Sequence, residues 1–155
     1  MSTTHPAGEP TIIITRVYDA PRDQVWLAMT QAEHVRQWWG GAGCSSPVCE
    51  MDVRPGGLWN HLMRFADGRE LHLHFVFLEV EKPARLVWQN ADRDKVKEGL
   101  NVRFTSTLED LGERTRCILV AHFDSVADRD AAVGFGFTGP IERSHDRLAE
   151  YLKTL

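Results

Sequence analysis

The amino-acid sequence predicts an α+β fold in which one antiparallel sheet packs against a long C-terminal helix. Three observations support this prediction. A β-rich segment near the start precedes two short helical segments, a run of six further β-rich segments follows, and an amphipathic segment ends the chain. Short turns separate successive β-rich segments, which is typical of antiparallel pairing.

The first half of the predicted fold is one strand followed by two helices. Residues 11–18 are rich in β-branched side chains and predict a strand. Pro21 suits a first helical turn, and apolar residues at helical spacing predict a helix to about Thr30. A second helix over about 32–38 ends before the glycine-rich segment 40–43.

The N-terminal residues 1–10 are small and polar, contain two prolines and show no periodicity. We therefore expect a disordered N-terminal tail, followed by a single domain over residues 11–155.

The second half is predicted to be a series of strands that ends in helix. The strands are expected at 48–53, 58–65, 70–81, 85–89, 100–108 and 115–123. A short helix is expected to begin near Ser125, with Asp128 in capping position, and to run to Val133. Gly139 is predicted as the N-cap of the last helix, with Pro140 as its first residue. The apolar stripe of that helix comprises Ile141, His145, Leu148, Leu152 and Leu155.

The hairpin between the strands at 58–65 and 70–81 contains an Asp67-Gly68 dipeptide, which favours a two-residue turn. Such a turn places six side chains on one face, in the pairs Met63 with His72, His61 with His74, and Trp59 with Val76. That face is half apolar and half titratable, which suits the wall of a ligand cavity. The opposite face then carries an apolar stripe, Leu71, Leu73, Phe75 and Phe77. A second subunit would cover this stripe, so we expect a homodimer.

Composition excludes several classes of function. The net charge is −4 and the isoelectric point is about 6.0, so the chain has no basic excess and nucleic acid is not an expected partner. No apolar run is long enough to cross a membrane. The cysteines, Cys44, Cys49 and Cys117, are odd in number and no signal-like segment opens the chain, so we expect reduced thiols and a cytoplasmic location.

No cofactor fingerprint is present, and metal binding is not expected. Cys44 and Cys49 lack the second cysteine pair that a zinc knuckle needs. Imidazoles at alternate positions of one strand, with a third across the sheet, could bind a divalent ion. They have no clear carboxylate or thiolate on the same face, so ligand contact is the better interpretation.

A series of short motifs carries a resemblance to a known family. The motifs occupy residues 20–26, 28–30, 38–39, 54–57, 65–68, 77–80, 83–88 and 146–152. Their order resembles the START-like (SRPBCC) superfamily, and within it the family named after the C-terminal domain of the heat-shock-protein-90 ATPase activator. The resemblance spans about residues 11–155. It implies a helix-grip (Bet v 1-like) fold, in which a curved antiparallel sheet of six to seven strands surrounds the C-terminal helix and leaves a cavity between them.

In this architecture the inner sheet face and the stripe of the last helix bound the cavity. The predicted ligand-binding residues are Trp39, Trp59, His61, Met63, His72, His74, Phe104, Phe135, Phe137, His145 and Leu148. Phe135 and Phe137 are flanked by glycines and are predicted to form a gate. The predicted function is binding or carriage of a hydrophobic or amphipathic small molecule.

Two alternatives remain open. The family name suggests an interaction module that contacts a chaperone or a regulatory partner. Polyketide cyclases and dehydratases in the same superfamily suggest an acid–base enzyme, in which His61 or His74 would be the general base. The sequence shows no activated nucleophile and no paired carboxylates, so an enzyme is the less favoured hypothesis.

Overall fold

The computed structural model describes residues 1–92 and 101–155. Within these residues the chain forms eight strands, β1 Ser2–Thr4, β2 Thr11–Tyr18, β3 Ser45–Met51, β4 Leu58–Arg64, β5 Glu70–Glu81, β6 Arg85–Asn90, β7 Arg103–Asp110 and β8 Thr115–His122. The same residues form four helices, α1 Arg22–Thr30, α2 Ala32–Trp38, α3 Val126–Gly134 and α4 Thr138–Leu152. The predicted α+β order is confirmed. Leu100, the predicted start of one strand, lies outside the described residues.

All eight strands belong to one antiparallel sheet, in the order β1-β2-β8-β7-β6-β5-β4-β3. Strands β3 to β8 form a meander, and β2 pairs with β8. The α1 and α2 helices connect β2 to β3 at the far edge, and α4 packs against both of them. The core lies between the inner sheet face and these helices, which confirms the helix-grip class. The additional strand relative to the predicted six to seven is β1.

Two parts of the structure differ from the predicted boundaries. Ser2–Thr4 fall within the predicted disordered tail but pair with β2 as an edge strand. The buried Arg129 guanidinium ties this end down, since it donates to the Pro6 and Thr11 carbonyl oxygens at 2.9 and 3.0 Å. At the other end, α4 begins at Thr138, so Gly139 and Pro140 fall in its first turn and Gly139 is not the N-cap. Leu155 lies beyond α4 and is exposed, outside the predicted stripe.

The β4–β5 hairpin turns through three residues instead of the predicted two. The Phe65 amide donates to the Arg69 carbonyl oxygen at 2.8 Å, and the Gly68 amide donates to the Phe65 carbonyl oxygen at 3.0 Å. Gly68 has a φ of +88°, as the last residue of a three-residue hairpin loop requires. The register therefore pairs Trp59 with Phe75, His61 with Leu73, and Met63 with Leu71. The predicted pairs with Val76, His74 and His72 are wrong by one residue.

A slip of one residue moves every side chain of β5 to the other face of the sheet. Phe75 and Phe77 face the interior and are buried, whereas His72 and His74 face outward. The apolar stripe that motivated the homodimer prediction therefore lies on the inner face of the same chain. That argument for a second subunit no longer applies.

Candidate ligand site on the inner sheet face

Trp59, at the centre of the inner face, is surrounded by other aromatic rings. Its ring stacks on Phe77 with centroids 5.9 Å apart and planes 7° apart, and it lies 5.1 Å from Phe75. Trp39, the residue after α2, meets it edge-on at 4.9 Å, and Trp88 lies at 5.8 Å. The aromatic cluster consists of Trp39, Trp59, Phe75, Phe77, Trp88 and Phe104. Alternation along β4, β5, β6 and β7 brings the strand residues of this cluster to one face, and Trp39 packs against that face from the end of α2.

The aromatic cluster extends to the segment between α3 and α4. Phe104 stacks on Trp88 at 5.3 Å and on Phe137 at 6.3 Å. Phe137 also meets Phe123 at 5.3 Å, so its ring is part of the interior packing. Phe135 is 60% exposed and lies 6.5 Å from Phe137. The two phenylalanines of the predicted gate are therefore split between surface and interior.

His61 on β4 is fully buried and hydrogen-bonded at both ring nitrogens. The Trp59 indole N–H donates to Nδ1 at 3.2 Å, which leaves the ring proton on Nε2. That N–H faces the Ser46 hydroxyl at 2.8 Å. Burial, with a smaller contribution from Arg36, lowers the pKa of His61 to about 4. The ring is neutral at pH 7, and a general-base role would require it to give up one of these partners.

His145, on α4, is the second buried imidazole. Its Nδ1 is 2.5 Å from the hydroxyl of Tyr18, a buried residue at the end of β2. Trp38 contacts the imidazole edge-on, with centroids 6.4 Å apart. Burial, with a smaller contribution from Arg16, lowers the pKa of His145 to about 4. This imidazole is also neutral at pH 7, and it joins α4 to the first long strand.

His72 and His74 lie on the outer face, contrary to the predicted inward placement. His72 is hydrogen-bonded to Asn60, and His74 Nδ1 lies 3.0 Å from a carboxylate oxygen of Asp92. Both line a shallow outer depression of about 580 Å³ that also contains Glu50. Only two of the four histidines predicted to converge are therefore inside, and His74 cannot act as a base within the interior. No group of three or more potential metal ligands occurs within 1–92 and 101–155.

The glycine-rich segment after Trp39 is held against α4. The Gly40 amide donates to the Ser144 hydroxyl at 2.7 Å, and the Arg147 guanidinium donates to the Gly41 carbonyl oxygen at 2.8 Å. A Cβ at position 41 would lie 2.7 Å from the Arg143 Cβ, so only glycine permits this approach. The sequence did not single out Ser144. The signal that could have identified Ser144 is a small polar residue beside the apolar stripe of α4, whose hydroxyl can accept a hydrogen bond from a backbone amide that comes close.

Trp88 is a second residue that the sequence did not place in the ligand site, since its position among aliphatic residues of a strand indicated a core anchor. Its side chain is 6% exposed, and its indole Nε1 has no hydrogen-bond partner among the residues that the structure describes. The ring is packed between Trp59 and Phe104 in the aromatic cluster. An unpaired buried donor costs roughly 1–3 kcal/mol. The inner face therefore presents one polar atom that a bound molecule could satisfy.

The remaining predicted contacts lie at the edges of the aromatic cluster. Met63 is buried, and its sulfur accepts a hydrogen bond from the Trp39 indole at 3.2 Å. Trp39 also lies 5.4 Å from the His61 ring. Leu148 is fully buried on the core-facing side of α4. Of the predicted ligand-binding residues, the structure groups six around the aromatic cluster: Trp39, Trp59, His61, Met63, Phe104 and Phe137. Leu148 and His145 lie on α4. His72, His74 and Phe135 do not face the interior.

Comparison with solved structures shows the same fold in several bacterial proteins. A Nitrosomonas europaea protein has a TM-score of 0.85 at 24% identity, over 96% of this chain and 97% of that chain. An Arthrobacter aurescens protein has a TM-score of 0.87 at 21% identity, over 99% of this chain and 92% of that chain. A Mycobacterium smegmatis protein has a TM-score of 0.86 at 19% identity, over 99% of this chain and 98% of that chain. At these identities the likeness shows the fold alone.

The family comparison is more specific. A search of curated proteins found no match. None of the helices in the described ranges is long and apolar enough to cross a membrane. The family model described as "Activator of Hsp90 ATPase homolog 1-like protein" matches residues 19–153, which is most of the chain. The chain therefore belongs to the Activator of Hsp90 ATPase homolog 1-like family, one of the START-like (SRPBCC) families.

Proposed function

We propose that this chain binds a hydrophobic or amphipathic small molecule between the inner sheet face and α4. The single observation that carries the proposal is the buried indole N–H of Trp88, which lacks a partner within the described part of the chain. A carbonyl, ether or hydroxyl oxygen of a ligand would accept from this donor. The rings of Trp59 and Phe104 beside it would contact the apolar part of the ligand.

Side chains of the aromatic cluster must move to admit a ligand, and Phe137 is the best placed to do so. It stacks on Phe104, which stacks on Trp88, so outward rotation of Phe137 would open space toward the unpaired donor. Gly134 and Gly136 flank the exposed Phe135, and no heavy atom lies within 4 Å of a Cβ built at either glycine. This uncrowded segment leaves room for such a rotation.

The buried part of the ligand is expected to be uncharged. Both interior imidazoles, His61 and His145, are neutral at pH 7 because burial lowers the pKa of each to about 4. The aromatic cluster itself contains no ionisable side chain. A charged group placed there would lose its hydration without gaining a counter-ion.

Coumarin and naphthalene are suitable probes, since both are flat, uncharged bicyclic molecules and only coumarin has a carbonyl acceptor. The indole N–H signals of the five tryptophans can be followed by NMR, with Trp88 assigned from its loss in Trp88→Phe. We expect coumarin to shift the Trp88 signal and to bind roughly 5–10-fold more tightly than naphthalene, as one neutral hydrogen bond allows.

Trp88→Phe keeps an aromatic ring and removes the donor, so it should abolish the preference for coumarin over naphthalene. Trp26→Phe is the matched control, because Trp26 is a buried tryptophan on α1 outside the aromatic cluster. The ratio of the two affinities separates loss of the donor from general loss of binding. The proposal is refuted if neither probe perturbs the Trp88 signal, or if the preference survives in Trp88→Phe.

A further inference from the structure

The outer face of the sheet contains a second hollow, on the opposite side from the aromatic cluster. It has a volume of about 620 Å³ and lies across β5, β6, β7 and β8. Val87, Thr105 and Val120 lie along its middle. Val87 points away from the core, yet its side chain is only 4% exposed. The hollow is therefore a groove with walls, and we call it the outer groove.

A bulge in β5 builds one wall of the outer groove. Phe77 pairs with Trp88, but the next pair is Glu79 with Val87, so the register shifts by one residue at Leu78. Bulges of this kind place an extra residue on one strand and bend it. Leu78 and Glu79 both line the outer groove as a result.

The two ends of the outer groove differ in charge. Arg85 pairs with Thr107 and Arg103 pairs with Gln89 in the ladder between β6 and β7, which places the arginines about 14 Å apart along the strands. The Arg85 Nε lies 3.1 Å from a Glu79 carboxylate oxygen, so this cation is neutralised. Arg103 is exposed and makes no ion pair with any residue that the structure describes. Within residues 1–92 and 101–155, one end therefore has a cation that makes no ion pair.

His122 stands opposite Arg103 on β8 and lines the same end. Burial, with a smaller contribution from Arg103, lowers the pKa of His122. A neutral imidazole and a guanidinium together offer N–H donors with a single positive charge. Carboxylates suit such a set, because guanidinium and carboxylate form paired, charge-assisted hydrogen bonds.

We propose that the outer groove binds a linear monocarboxylate of medium chain length, with its carboxylate on Arg103 and its alkyl chain over Val87 and Val120. The span of about 14 Å between the arginines suits an extended medium-length fatty acid. Arg103, which has no ion-pair partner in the described part of the chain, matches one negative charge.

Decanoate, used below its micelle concentration, is the probe for this site, with decanol as its uncharged analogue. Calorimetry should show decanoate binding to the wild-type chain at least about tenfold more tightly than decanol, since a charge-assisted hydrogen bond accounts for such a ratio. Arg103→Gln should weaken decanoate binding by about tenfold and leave decanol unchanged. Raising the salt concentration should weaken decanoate binding alone.

Arg116→Gln is the matched control. Arg116 lies on the same outer face, on β8, but its guanidinium is paired with Glu109 at 2.8 Å and it is not part of the outer groove. This variant should bind decanoate as the wild type does. Unchanged decanoate affinity in Arg103→Gln, or equal affinities for decanoate and decanol, would overturn the proposal. So would decanoate shifting the Trp88 indole signal instead of the Val87 and Thr105 amide signals, because Trp88 faces the interior.

Discussion

The two buried histidines make the stability of this fold depend on mild acid. His61 and His145 each have a pKa near 4 in the folded chain, against an ordinary value of 6.5. Between these values the unfolded chain binds more protons than the folded chain, so the free energy of unfolding falls as the pH is lowered. The loss should begin near pH 6.5 and be complete near pH 4.

The magnitude follows from the pKa difference. A shift of this size corresponds to about 3 kcal/mol for each imidazole. Small domains are typically stable by about 5–15 kcal/mol, so the two groups together govern a large part of the total. The steepest loss should lie near pH 5 to 6, where the unfolded imidazoles are charged and the folded ones are still neutral.

Urea unfolding followed by circular dichroism at several pH values between 7 and 4.5 measures this effect. Glutamine can replace either imidazole as an uncharged hydrogen-bonding group, so His61→Gln and His145→Gln should each flatten the pH dependence by about half. The matched control is His5→Gln, because His5 is exposed near the N-terminus. If both core variants keep the full wild-type pH dependence, the buried imidazoles do not cause it and the reasoning fails.

Three further predictions concern the contacts that hold the chain around α4 and β2, and urea unfolding measures each. Gly41→Ala should lower the free energy of unfolding by about 2–4 kcal/mol, because the new Cβ meets Arg143. Gly56 has a similar positive φ but lies in open space, so Gly56→Ala should lower it by only about 1–2 kcal/mol. Equal losses in the two variants would contradict the close approach of Gly41 to α4. Ser144→Ala should cost about 1–3 kcal/mol, because it leaves the buried Gly40 amide unpaired; no loss would show that the amide finds another acceptor. Arg129→Met should lower the free energy of unfolding by about 3 kcal/mol and speed amide hydrogen exchange in β1. Arg114 is exposed, so the control Arg114→Met should change the free energy of unfolding by less than about 0.5 kcal/mol. Unchanged exchange in Arg129→Met would mean that β1 does not depend on Arg129.

The sequence predicted most elements well because their signals are local. The boundaries of α2 and β5 agree with the prediction, since a glycine-rich stop and an uninterrupted β-rich run mark them. The hairpin register failed for an equally local reason. Asp67-Gly68 fits a two-residue turn, but Gly68 also fits the left-handed position that ends a three-residue loop. Turn chemistry alone does not choose between these loops.

Burial energy makes that choice. The two-residue turn would bury His72 and His74 and expose Phe75 and Phe77, and each fully buried phenylalanine contributes about 1.5–3 kcal/mol. The three-residue loop places both phenylalanines beneath Trp59. The apolar stripe was therefore the stronger register signal, and it should outweigh a turn dipeptide wherever the two conflict.

The polar contacts of the interior could not be predicted from spacing. Tyr18 and His145 are 127 residues apart in sequence, and Gly40 and Ser144 are 104 apart. Each pair depends on how α4 lies across the sheet, which the sequence predicts as a class of fold and not as a register. The unpaired Trp88 donor is more remote still, because it is defined by the absence of a neighbour in three dimensions.

Strand β6 connects the two proposed sites and keeps them separate. Val87 and Trp88 are adjacent in sequence, and alternation sends the first into the outer groove and the second into the aromatic cluster. The bulge at Leu78 lets β5 contribute to both faces. Phe77 packs against Trp59 on the inner face, and Glu79 pairs with Arg85 on the outer face. A ligand on one face therefore has no direct contact with the other. Any effect of decanoate on coumarin affinity must pass through the backbone of the sheet, from Val87 to Trp88 on β6 or from Thr105 to Phe104 on β7.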